Sequence, residues 1–119
     1  MLDPLSGKLD RYMTLLSTRQ SLVASNIANA DTPGYQTKDI DFEGALQRAL
    51  NGNLAGASGA PLAYEVPGLR VKNDGNNVDL DREARLLAEN GLRFNIASNL
   101  QRSQLKAIRA AISGGGGAS

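Results

Sequence analysis

The sequence predicts a mainly α-helical fold: two long terminal helices packed as an extended, coiled-coil-like hairpin, with a short irregular, β-containing segment between them. Apolar residues recur at seven-residue spacing through residues 2–30 and again through 80–112. The stretch between them loses that period and gathers Gly and Asn. At 119 residues the chain is one domain at most.

In the first helix Leu2, Leu9, Leu16, Val23 and Ala30 hold one heptad position. Leu5 and Tyr12 hold the position three further on, followed there by Arg19 and Asn26, so the seam turns polar toward its end. Leu15, Leu22 and Ile27 broaden the apolar face in the second half. The pattern ends abruptly at Asn26–Tyr35. Asn and Asp favour helix exits, the residue before Pro33 is pushed out of the α region, and Pro33-Gly34 suits the centre of a type II turn.

Tyr35–Phe42 alternates loosely and reads as extended, and Asp41–Leu50 as a short helix with Phe42, Ala45, Leu46 and Leu50 on one side. Residues 51–61 form a flexible Gly-rich loop. Tyr64, Val66, Leu69 and Val71 mark a second extended stretch, and Asn73–Asn77 a turn, together suggesting a small hairpin.

Asp79 suits the N-cap of the second long helix, with Asp81 and Glu83 in the first turn, where the dipole favours anions. Leu80, Leu87, Phe94, Gln101 and Ile108 form one heptad column; Ala84, Gly91, Ser98, Leu105 and Ile112 form its neighbour. Three of the latter are small and would let another backbone approach, which gives Gly91 a purpose despite a helix-propensity cost of about 1 kcal/mol. The domain reading is a discontinuous helical core (1–34 plus 79–113), a middle segment (35–78), and a disordered Gly-rich tail (114–119).

Helices of about 29 and 33 residues span roughly 43 and 50 Å at 1.5 Å per residue. A compact chain of this length is only ~35 Å across. The helices must lie along each other, pack on other chains, or both.

Much chemistry is excluded. Cys and His are absent, which removes disulfides, the commonest general base and the commonest transition-metal ligand. Net charge is +1, with no general pull toward nucleic acid or anionic membrane. No apolar run is long enough for a transmembrane helix, and Asp3, Pro4, Lys8, Asp10 and Arg11 interrupt any signal-peptide core. Asn73–Glu83 is rich in oxygen ligands but lacks EF-hand spacing. The basic run Arg93, Arg102, Lys106, Arg109 reads as a solvated face at a helix C-terminus. No catalytic, cofactor or metal site is expected.

Ser25–Tyr35 (SNIANADTPGY) resembles the N-terminal signature of the axial proteins of the bacterial flagellum, through Asn26, Asn29, Asp31, Thr32, Pro33, Gly34 and Tyr35. Asp39–Phe42, and DGNNVDLDRE (Asp74–Glu83) followed by LAENGLRF (Leu87–Phe94), look like the proximal-rod branch of that family, the FlgB type. The resemblance implies a non-enzymatic structural subunit of the proximal rod, the basal-body drive shaft in the periplasm. It implies export by the flagellar type III apparatus without a cleaved signal, and polymerisation through the terminal helices. Implied partners are copies of itself, other rod proteins, the rod-base adaptor, the membrane-ring protein and the export gate, with no nucleic acid and no membrane insertion.

On that reading Leu9, Tyr12, Leu16, Val23 and Ile27, with Leu80, Ala84, Leu87, Gly91, Phe94, Ser98, Leu105 and Ile108, make the intrachain hairpin and the lateral contacts. Asn26 and Asn29 either hydrogen-bond to neighbouring subunits or are plain exposed helix-end residues. The alternative function is a non-polymerising helical adaptor or export chaperone of the same machine.

Overall fold

The computed structural model describes residues 4–51 and 61–117. Most of the Gly-rich loop, residues 52–60, and the last two residues of the tail, 118–119, lie outside the described residues. Helix α1 (Pro4–Ala28) is followed by strand β1 (Lys38–Ile40), helix α2 (Phe42–Leu50), strand β2 (Ala63–Glu65) and helix α3 (Leu80–Gly117).

The long helices run antiparallel, and polar pairs record their register. Asn26 bonds Glu83, Asn90 bonds Gln20, Gln101 bonds Asp10 and Ser6 bonds Gln104. The molecule is accordingly elongated, 73 × 30 × 16 Å with a radius of gyration of 18.9 Å, well above the ~13.5 Å of a compact chain of this length. Asp79 caps α3, its Oδ1 accepting from the backbone N–H of Asp81 at 3.0 Å and of Arg82 at 3.2 Å.

The main apolar cluster sits where the middle segment folds onto α1. Leu15 and Leu16 of α1 meet Ile40 and the buried face of α2 (Phe42, Ala45, Ala49), with Tyr12, Leu22 and Leu46 at its margin. Tyr12 meets the Phe42 ring edge-on, centroids 6.2 Å apart. Asp41 caps α2 by accepting from Gly44 N, and Arg11 Nε donates to Ala49 O near its far end.

The small sheet pairs β1 with β2 antiparallel, Asp39 opposite Tyr64, and so closes across the Gly-rich loop. The turn at Lys72–Asn76 is held by Lys72 N to Asn76 O (2.8 Å) and Gly75 N to Lys72 O (2.9 Å). Among the described residues no strand flanks that turn.

Candidate assembly site

The short strand β1 brings Asp39 between the two long helices, and a buried polar node forms there. Arg19 grips the Asp39 carboxylate with two bonds, Nε to Oδ1 at 3.1 Å and Nη2 to Oδ2 at 3.0 Å. Arg82, on the first turn of α3, donates Nη2 to Asp39 Oδ2 and Nη1 to Glu83 Oε2, both at 2.6 Å. Glu83 is fully buried. Its Oε1 accepts from Asn26 Nδ2 at 2.8 Å. Two guanidinium groups thus balance two carboxylates.

Burial pushes the Asp39 carboxyl up, but the hydrogen bond from Arg19, that from Ile40 N, the Arg19 charge and the bond from Arg82 outweigh it and leave it below the ordinary value of 3.8. Burial likewise works against charge on Arg82, yet its bonds to Glu83 and Asp39 hold the guanidinium more firmly protonated than usual.

Asn26, 1 % exposed, uses its whole amide inside the chain. Nδ2 donates to Glu83 Oε1 and to Lys38 O (2.9 Å); Oδ1 accepts from Lys38 N and from the Tyr35 hydroxyl, each at 3.1 Å. Its role is therefore intrachain, where the sequence left a contact to neighbouring subunits or simple exposure. Asn29 bonds locally, donating to Ser25 O and accepting from Thr32 Oγ1.

A second clamp holds the exit of α1. Asn76 is fully buried, and its Nδ2 donates at 2.8 Å to both Asn29 O and Thr32 O, carbonyls just past the helix end. Asn77 Oδ1 accepts from Thr37 N at 2.7 Å, and Lys72 Nζ donates to Ala30 O at 3.1 Å. Gly34 N donates to Asp74 O. Gly34 and Gly75 both have positive φ, +76° and +86°, and a Cβ on Gly75 would sit 3.4 Å from Gly34 Cα. The stretches around Asn26, Asp39, Asn76 and Glu83, far apart in sequence, meet in one place.

Of the residues assigned to helix packing, Leu9, Leu16 and Val23 are buried, while Tyr12 and Ile27 are half-buried. On α3 the residues buried in the single chain are Glu83, Leu86, Asn90 and Ala97. Leu80, Ala84, Leu87, Gly91, Phe94, Leu105 and Ile108 are exposed beside that line, and Ser98 is half-buried. Leu92, Ile96 and Leu100 add a further exposed apolar row, and Ile112 is 71 % exposed. Of the motif residues, Asp31, Thr32, Pro33 and Gly34 are exposed and Tyr35 is half-buried.

Arg19, Asp39, Arg82, Glu83, Lys72, Asn76 and Asn77 were not assigned these roles from sequence. The readable signal was Arg19 and Asn26 standing in an otherwise apolar column. Among the described residues no cluster of three or more His, Cys, Asp and Glu could hold a metal, and no helix is long and apolar enough to cross a membrane.

Residues 13–36 match the sequence model of a family described as flagella basal body rod protein. The chain is 34 % identical to the flagellar basal body rod protein FlgB of Salmonella typhimurium, over 97 % of this chain and 99 % of that protein. It is 33 % identical to FlgB of Escherichia coli K12, over 91 % of this chain and 94 % of the relative. Borreliella burgdorferi FlgB is 36 % identical over 82 % of this chain and 87 % of its own length.

Proposed function

The chain belongs to the FlgB family of flagellar basal body rod proteins, and on that premise we propose that it polymerises through its terminal helices, with the uncovered face of α3 as the joint. It is a structural subunit of the rod, not an enzyme, and it assembles with other rod components.

The observation that carries the proposal is the apolar face of α3. Leu80, Leu87, Phe94, Leu105, Ile108 and Ile112 are each more than a third exposed, along one side of a single helix. An exposed stripe of that length marks a contact surface. These side chains are already partly covered, so completing the burial of each Leu or Ile stabilises by about 1 kcal/mol, part of the full-burial value. Copies of itself, other rod proteins, the rod-base adaptor, the membrane-ring protein and the export gate are the proposed neighbours. Export through the flagellar type III apparatus to a periplasmic rod completes the reading.

Deletion of the gene, with imaging of the remaining basal bodies, tests it. The expected result is loss of everything beyond the membrane ring; an intact rod in the deletion strain overturns it.

A further inference from the structure

A cleft of about 340 Å³ opens between the two long helices, between Leu16, Ser17 and Gln20 on α1 and Asn90, Gly91 and Phe94 on α3. Asn90 is 2 % exposed. Its Nδ2 donates to Gln20 Oε1 at 3.2 Å, but its side-chain carbonyl oxygen is buried with no hydrogen-bond partner. Buried polar atoms in native proteins are nearly always paired, so this one marks a missing donor. Beside it a Cβ on Gly91 would meet nothing within 4 Å, so there is room for another backbone.

The lining carries no charge. The donor that fits is therefore a small neutral group on a slender helix, since Lys or Arg would be buried without a counter-charge. The chain itself presents such a face. Thr14, Ser21 and Ala28 lie at seven-residue spacing on the exposed side of α1, with Ala24 beside them. Among the described residues the Ser21 hydroxyl has no partner, whereas Thr14 bonds back to Asp10 O.

We infer that the cleft receives α1 of a second copy of this chain, with Ser21 of the incoming helix donating to Asn90 Oδ1. The Asn90 Nδ2 bond to Gln20 is kept when the donor arrives, so both halves of the buried amide are then paired. Thr14, Ser21 and Ala28 are not part of the cleft lining, so the contact is head-to-tail and repeats from copy to copy, as a helical or ring assembly requires. The inference rests on the assembly reading above and names the lateral partner.

The natural absence of cysteine permits a direct test. Chains carrying only Ser21→Cys and chains carrying only Gly91→Cys are co-expressed in a flagellated strain lacking the endogenous gene, and isolated basal bodies are oxidised. A disulfide-linked dimer is expected only when both variants are present. Rods that form without the bridge overturn this contact and leave the assembly reading standing. Wild-type chain missing from isolated rods overturns both. A second variant, Asn90→Leu, removes the unpaired carbonyl at similar volume. Thermal stability of the free subunit is expected to hold or rise while rod assembly is lost; normal assembly of Asn90→Leu overturns the hydrogen bond.

Discussion

The Asn26 side chain pairs with the backbone of Lys38 as a neighbouring strand would, donating to its carbonyl at 2.9 Å and accepting from its N–H at 3.1 Å. A helix side chain thereby occupies the place of a third strand beside β1. The short strand is tied to α1, and through Glu83 to α3, without a larger sheet.

Asn26→Leu therefore strands the buried Glu83 Oε1 and takes a partner from the part-buried Lys38 N–H, Lys38 carbonyl and Tyr35 hydroxyl. The expected loss is on the order of 3–5 kcal/mol, at 1–3 kcal/mol per unsatisfied group. Urea unfolding of the free subunit measures it, and a loss under 1 kcal/mol would show that water replaces the amide.

Acid should attack the node through Asp39. Its native carboxyl titrates below the ordinary 3.8, so its contribution is complete above that value and is lost as pH falls from there through the lowered native value. Asp39→Asn leaves Arg19 and Arg82 without their shared anion and costs about 3 kcal/mol at neutral pH. Stability of that variant should be flatter than wild type across the acid window, as denaturation at stepped pH would reveal.

Gly75→Ala meets two obstacles, a positive φ and a contact of 3.4 Å to Gly34 Cα. Left-handed backbone alone costs an L-residue about 1–2 kcal/mol. Gly68 also has positive φ, but a Cβ there meets nothing within 4 Å. Gly75→Ala should thus lower the melting temperature more than Gly68→Ala; equal shifts would discount the close approach.

Gly91→Leu should separate folding from assembly. Space around Gly91 is open, and Leu is the better helix former by most of 1 kcal/mol. The free subunit should be as stable as wild type or more so, while rods fail to form. Normal swimming in soft agar by this variant would remove the idea that a neighbouring backbone approaches here.

The two-helix architecture was legible because a seven-residue period survives in both terminal segments. On α1 the column Leu9, Leu16 and Val23, continued past the helix end by Ala30, is buried within the single chain, so its period reports the core directly. On α3 the reading is harder. The single-chain line follows Glu83 and Asn90, where polar bonds to Asn26 and Gln20 set the rotation of the helix, and period alone assigns a buried line to leucines rather than to a glutamate. The node itself was hidden for a related reason: its members are spread from Arg19 to Glu83, and no local pattern reports which charges meet. Arg19 and Asn26 in an apolar column were its only trace.

The polar rungs between α1 and α3 have a mechanical consequence. A seam of leucines can be pulled along by one heptad and find equivalent neighbours, so by itself it resists shear weakly. Sliding the helices by one turn would separate Asn26 from Glu83, Gln20 from Asn90 and Arg82 from Asp39 in the same motion. The helix pair should yield to lengthwise load all at once rather than creep.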